Sequence, residues 1–180
     1  GSDAAKSQKM TDEDKKSIAN SIKFYAKAGL DFEPGTKQKY SGTGAFDVLV
    51  KIIENITKTD YLHFLQQEIF EPCEMVNTTF IPTGEQWKQI IAMHNKIDGN
   101  NSVAKMKENC IFYDYPCMHY LGGAGLVSTL DDYSKFAKML LNKGKTPKKQ
   151  ILSEETFRLL HTPFVSEEIM PSNARWGLGV

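Results

Sequence analysis

"DFEPGTKQKYSGTGAFDVLVKIIENIT", residues 31–57, holds the two features on which the reading of this chain turns. Pro34-Gly35 is a turn signal, because proline presets φ and glycine tolerates a positive φ at the next position. From Thr43 onward Phe46, Leu49, Val50, Ile53 and Ile56 recur at helical spacing, which predicts a loop feeding an amphipathic helix with those residues inward. Tyr40-Ser41-Gly42 stands at the junction. Ser41 is placed to cap the helix, its hydroxyl accepting an N–H of the first turn. Tyr40 has two readings: an aromatic ring packed at a loop–helix junction, or a phenol that handles a proton.

Helical signals continue on both sides. Thr11 with Asp12, Glu13 and Asp14 predicts a helix start, with Ile18, Ile22 and Tyr25 on one face and Gly29 at the end. Thr59 is predicted to cap the next helix, with Leu62, Leu65 and Ile69 inward and Pro72 closing it. "TTFIP" (78–82) reads as short and extended, and "GEQWKQIIAMH" (84–94) as a helix of modest length. Residues 96–120 show no clear period. "GGAGLVST" (122–129) is a tight glycine turn, after which Thr129 and Asp132 open a helix with Phe136, Ala137 and Leu140 inward and Gly144 beyond its end. Ser153-Glu154-Glu155 caps a last helix that Pro163 stops, and "RWGLGV" (175–180) reads as an incoming β-strand. The expected fold class is mainly α with short strands at the ends. Residues 1–30 form a lead-in with one helix, and residues 31–180 a single helical region.

Bulk properties exclude several classes. Lys+Arg and Asp+Glu both total 22 in 180 residues, so no net basic charge attracts nucleic acid. The densest basic stretch, "NKGKTPKK" with Lys143, Lys145, Lys148 and Lys149, reads as a solvated loop. Cys73, Cys110 and Cys117 lack C-x-x-C spacing, so neither zinc nor a disulfide framework is indicated, and free buried thiols are favoured over a Cys110–Cys117 bridge. No apolar run approaches the ~18 residues of a membrane span. The opening Gly-Ser reads as the remnant of a tag.

Common catalytic motifs fail. Ser41 has no glycine two residues before it, so there is no G-x-S-x-G elbow, and no H-E-x-x-H is present. His63, His94, His119 and His161 are scattered and read as structural or surface residues. Gly123–Ser128 falls short of a dinucleotide fingerprint because Ser128 stands at the third glycine position. Ser102-Val103-Ala104-Lys105 is an S-x-x-K, but it lacks the apolar helix that should bury such a pair. Trp87 and Trp176 read as core or interface residues. Phe112, Tyr113, Tyr115 and Tyr120 read as packing rather than as the lining of a cleft.

Taken in order, five segments resemble the class C β-lactamase-related, penicillin-binding-protein-like family of serine hydrolases. "LDFEPGTKQKYSGTGAFDVLVKIIENIT" resembles the segment in which a Pro-Gly turn leads to Tyr-Ser-Asn and a helix. "DYLHFLQQEIFEPCEMVNTTF" resembles the helix after it, and "GGAGLVSTLDDYSKFAKMLLNKG" the glycine turn and helix that come next. "ILSEETFRLL" and "WGLGV" resemble the last helix and a strand returning to the family's sheet. The resemblance implies the helical part of the β-lactamase/transpeptidase-like fold, cut from a larger protein. In the family an S-x-x-K lies before the tyrosine motif and an H-x-G or K-T-G strand lies after "WGLG". His161-Thr162-Pro163 is misplaced for the latter and carries a proline, which cannot donate to a sheet ladder.

The chemistry implied by the resemblance is acyl transfer through a serine ester, with no cofactor and no metal. A serine hydroxyl needs a base to become a nucleophile. Phenols ordinarily titrate near pH ~10, so a tyrosine serves as that base only with cations beside it. By resemblance Tyr40 is that base and later the acid for the leaving group. Gly42 occupies the family's asparagine position, where an amide contacts the substrate, and supplies only backbone there. The implied partner is a small-molecule or peptide substrate of the parent protein, and the 180-residue chain is expected to be inactive alone. The rival expectation is a non-catalytic binding or scaffold domain with the same fold, which Gly42 favours. A third concerns the chain itself: exposed apolar faces and an unpaired terminal strand would drive a homodimer. The family alone suggests an extracytoplasmic or cell-envelope location.

Overall fold

The computed structural model describes residues 11, 13–14, 17–41, 44–91, 94–97, 100–103, 120–169 and 177–178. Helix α1, Ile18–Lys27, is capped by Ser17, whose hydroxyl accepts the Asn20 N–H. It begins later than Thr11 predicts. Thr11 and Asp14 satisfy each other instead, with Thr11 N–H donating to the carboxylate at 2.8 Å and Asp14 N–H to the Thr11 hydroxyl at 3.2 Å. Ile18, Ser21 and Phe24 are the buried positions, while Ile22 and Tyr25 are half-buried. Gly29 ends the helix with φ +70°. The Pro34-Gly35 turn forms as expected, closed by Thr36 N–H to the Glu33 carbonyl at 3.1 Å with Gly35 at φ +84°.

Helix α2 is Gly44–Thr57, and the Ser41 hydroxyl accepts the Ala45 N–H at 3.2 Å, the capping role expected of it. Its orientation differs from expectation. Of the five residues predicted inward only Val50 is buried, at 2% exposure, and the buried face is Gly44, Asp47 and Val50. Leu49 is 53% and Ile56 76% exposed. The cause is close approach. Gly44 lies against the Tyr25 ring of α1, with an imagined Cβ 3.2 Å away, and Gly122 lies against the backbone at Phe46. The side of α2 that faces the other described elements is thus the side without bulk.

Helix α3, Tyr61–Leu65, continues into a π-helical turn, Gln66–Phe70. Its cap is Asp60 rather than Thr59: the Asp60 carboxylate accepts N–H groups of Leu62 and His63, a job an anion does better at the positive helix end. Thr59 bonds back to Thr57. Helix α4, Gly84–Gln89, is shorter than predicted and opens on a Thr83/Gln86 capping box.

The region expected to be irregular contains an antiparallel hairpin, β1 His94–Ile97 and β2 Asn100–Val103. Ile97 pairs with Asn100, and the dipeptide between them in sequence is Asp98-Gly99, a strong two-residue hairpin signal. Ser102 of the S-x-x-K therefore lies on a strand, not on the helix that such a pair requires.

Helix α5, Leu130–Leu141, is capped by Thr129 accepting the Asp132 N–H, and α6, Glu154–Leu160, by Ser153. On α5 the deepest apolar residue is Met139, with Phe136, Ala137 and Leu140 half-buried. Leu65, Phe70, Cys73, Met75, Phe80 and Met139 form the core cluster, so Cys73 is a buried free thiol as expected. Cys110, Cys117, His119, Phe112, Tyr113, Tyr115 and Trp176 lie outside the described residues. Of "RWGLGV" only Gly177 and Leu178 are described, and they are not in a strand; Leu178 N–H donates to the Leu160 carbonyl at 3.0 Å.

The lysine-rich stretch is not simply a solvated loop. Thr146 is buried and folds it into a turn, donating to the Lys149 carbonyl at 2.8 Å and accepting the N–H groups of Lys148 and Lys149. Lys149 pairs with Glu68, and the Lys148 ammonium donates to the Glu71 carbonyl. The acidic stretch at the end of the π turn faces the lysines, which the linear sequence conceals.

Candidate active site

Tyr40 sits at the end of the Pro34-Gly35 loop, two residues before the undescribed pair 42–43 that precedes α2. Its side chain is 76% exposed, so the ring is not packed into the junction. It borders a concavity of about 330 Å³ shared with Leu30, Phe32, Pro34, Lys39 and Ser41. The Lys39 ammonium is 3.0 Å from the Asp31 carboxylate. That ion pair ties the two ends of the loop together. Gly42, at the family's asparagine position, lies outside the described residues.

What fixes the platform behind Tyr40 is a contact that sequence patterns missed. Asp47, fully buried on α2, accepts the Gly122 N–H at 2.8 Å. A Cβ on Gly122 would meet the Phe46 carbonyl oxygen at 2.4 Å, so only glycine lets the turn approach this closely. Burial pushes the Asp47 carboxyl above the usual carboxylate range, against the pull of the Gly122 N–H. Among the described residues its Oδ2 has no hydrogen-bond partner. The available signal was an acid in the first turn of an otherwise apolar helix, since such a residue, once buried, requires a donor.

The glycine turn is anchored on its far side as well. Thr79 and Val127 exchange N–H···O bonds of 2.9 Å. Asp132 of α5, fully buried, accepts the Asn77 N–H at 2.6 Å and the Thr78 hydroxyl at 3.0 Å, and its other oxygen is 3.0 Å from the Lys135 ammonium. Burial pushes this carboxyl up, but the Lys135, Asn77 and Thr78 donors together outweigh it and hold the group below the usual range.

Tyr120 packs its ring on Tyr61 and Phe80, and its hydroxyl donates to Glu54 and Asp60 at 3.3 Å each. Burial, and then the charges of Asp60 and Glu54, push this phenol far above its ordinary range. Tyr120 is therefore a neutral donor that joins α2 to α3, not a base. His63 and His161 are exposed. Among the described residues no group of three or more His, Cys, Asp or Glu side chains is disposed to hold a metal ion. None of the described helices is long and apolar enough to cross a membrane.

The chain matches the Beta-lactamase family over residues 2–180. It belongs to that family. A relative with a related sequence is the N-acetylmuramyl-L-alanine amidase of Bacillus subtilis (strain 168), 27% identical over 158 residues that make up 81% of this chain and 36% of that protein. The fold superposes on EstCE1, described as a hydrolase with promiscuous acyltransferase activity, at TM-score 0.72 and 20% identity, covering 89% of this chain and 44% of that one. It also superposes on the octameric penicillin-binding protein homologue from Pyrococcus abyssi at TM-score 0.63 and 19% identity, covering 90% of this chain and 34% of that one. The β-lactamase-family chain described here thus spans about a third to just under half of the length of these proteins. Its described part is the helical portion of the β-lactamase/transpeptidase fold, mainly α as expected.

Proposed function

We propose that the polypeptide to which this chain belongs is a serine hydrolase that transfers acyl groups from a β-lactam, a peptide amide or an ester through an acyl-serine intermediate, with Tyr40 as general base and then general acid. The observation that carries this reading is the setting of Tyr40: 76% exposed beside a concavity, in a loop closed by Lys39 and Asp31, within a chain of the Beta-lactamase family. A phenol in that position is open to both a nucleophile and a substrate.

The tyrosine oxygen takes the proton of the serine hydroxyl as the serine oxygen bonds to the carbonyl carbon. Backbone N–H donors hold the resulting oxyanion. The tetrahedral adduct then collapses, the bond to the leaving group breaks, and the tyrosine returns the proton to it. Water repeats the sequence on the ester. In the family's pattern the S-x-x-K pair precedes the tyrosine, whereas the S-x-x-K of this chain follows it with Ser102 on β2. The 180-residue chain alone is accordingly inactive in this reading. The amidase name of the Bacillus subtilis relative supports an amide substrate, and the EstCE1 description supports an ester.

A second reading, a non-catalytic binding domain, draws on Gly42 at the asparagine position. One experiment separates them. The whole polypeptide and the 180-residue chain are each treated with a fluorescent penicillin and with an aryl ester. Acylation of a serine in the whole polypeptide and none in the short chain is expected. A folded whole polypeptide that takes no acyl group and cleaves no ester supports the binding domain. Labelling of the short chain sinks the claim that it is inactive alone.

A further inference from the structure

The core cluster is open on one side. A concavity of about 430 Å³ lies between α3, the Gly122–Gly125 turn and α5. Its floor is the buried Leu65, Phe70, Met75 and Phe80, and its rim is Leu126 and Tyr133, 47% and 64% exposed, so the space reaches from the interior to the surface. The turn keeps it open. Gly125 stands at φ +92°, a conformation that side chains rarely adopt, and an imagined Cβ there would lie 3.9 Å from Cδ1 of Phe80. No side chain of the turn therefore fills the space beside the Phe80 ring.

The lining says what would fit. Tyr61, Phe80 and Tyr120 pack in a triangle with ring centroids 5.6–6.2 Å apart, and the first two of these rings line the concavity as a fixed aromatic surface. None of the lining residues carries a charge, so an ionic ligand would lose its water there and gain no counter-charge. Three hydroxyls belong to the lining. That of Ser128 is engaged with Thr78 at 2.8 Å, and that of Tyr133 stands on the rim. The Tyr61 hydroxyl bonds to no other described residue. Burial pushes this phenol above its ordinary range, so it is a neutral donor without an acceptor.

We propose that this concavity binds a small neutral aromatic molecule of about two fused rings, which lies against Tyr61 and Phe80 and accepts a hydrogen bond from the Tyr61 hydroxyl. Volume sets the size: an apolar cavity of about 150 Å³ already takes benzene, and small-molecule sites run from roughly 300 to 1,000 Å³. The site shares no lining residue with the concavity at Tyr40, so it does not rest on the acyl-transfer reading.

The test titrates the whole native polypeptide with 6-propionyl-2-(dimethylamino)naphthalene, a neutral naphthyl ketone whose fluorescence moves to shorter wavelength on leaving water. A saturable shift is expected. Tyr61→Phe should weaken the ketone about 3–10-fold, the scale of one neutral hydrogen bond, and should spare 2-(dimethylamino)naphthalene, which lacks the carbonyl. Ala124→Phe sets a ring in the concavity and should weaken both probes at least about 10-fold. Leu126→Trp at the rim is the second blocking variant, and the melting temperature of each variant shows which ones fold. Absence of saturable binding overturns the proposal. So does binding that a folded blocking variant fails to weaken, which puts the probe elsewhere. An equal effect of Tyr61→Phe on the two probes overturns it as well, because the phenol then donates to neither. Tyr40→Phe leaves both affinities unchanged, so this proposal and the acyl-transfer reading fail separately.

Discussion

Asp47 and Gly122, 75 residues apart, are joined by a 2.8 Å hydrogen bond from the glycine N–H to a carboxylate with no exposed surface. Through it the helix that follows Tyr40 is locked to the glycine turn that precedes α5. The bond sets the rotation of α2 and so decides which side of that helix is buried.

Gly122→Ala is expected to destabilise by about 1–3 kcal/mol, as overpacking does. The imagined Cβ meets the Phe46 carbonyl at 2.4 Å and Val50 Cγ2 at 2.8 Å. Gly122 is not one of the positive-φ glycines, so the objection is purely steric. The gain of about 0.4–1 kcal/mol from a stiffer unfolded chain does not offset it. Urea unfolding of the variant checks this; a midpoint equal to or above that of the parent refutes it.

Asp47 makes stability fall as pH rises. Burial raises its folded pKa, so the favourable contribution is complete below the unfolded value of about 3.9 and is lost as pH climbs through the folded value. Asp47→Asn keeps an oxygen to accept the Gly122 N–H and removes the ionisation. The difference in melting temperature, variant minus parent, should therefore grow from pH 4 to pH 7. A flat difference shows that this carboxyl does not titrate upward.

Asp132 acts in the opposite sense. Its folded pKa is lowered, so its contribution is present above about pH 3.9 and disappears as pH falls through the folded value. Asp132→Asn leaves buried donors poorly served and should cost about 1–3 kcal/mol at pH 7. The gap between parent and variant should close on acidification. If it stays constant down to acid unfolding, Asp132 is not held as an anion.

Tyr40→Phe should leave stability within about 0.5 kcal/mol, because the side chain is 76% exposed. In the whole polypeptide the same change should lower kcat/KM for ester or amide cleavage by about 100-fold or more, the usual scale of a lost acid–base group. Unaltered turnover would remove Tyr40 from the mechanism.

Lys149→Ala should shift the melting temperature little. Its partner Glu68 is 49% and the lysine 39% exposed, and exposed pairs contribute about 0–1 kcal/mol. Thr146→Val should do more, because it removes the hydroxyl that three backbone partners share. Thermal melts of the two variants side by side decide it, and a larger shift for Lys149→Ala would reverse the ranking.

The local chemistry of the chain was legible in the sequence because it acts over a few residues. The caps at Ser41, Thr129 and Ser153, the Pro34-Gly35 turn and the Pro72 and Pro163 stops depend only on neighbours that bond or clash within one turn. So did the order of segments that resembles the family. What the sequence left open was which side of each element faces in. Helical spacing identified an apolar stripe on α2 but assumed that the stripe is buried against the rest of the chain. Only the tertiary structure placed Asp47 under Gly122, Asp132 under Asn77 and Thr78, and the lysines of 143–149 beside Glu68 and Glu71. Those pairings join residues about 50 to 80 positions apart. Burial turns each buried acid into a demand for a donor, and local periodicity carries no information about where in the chain that donor lies.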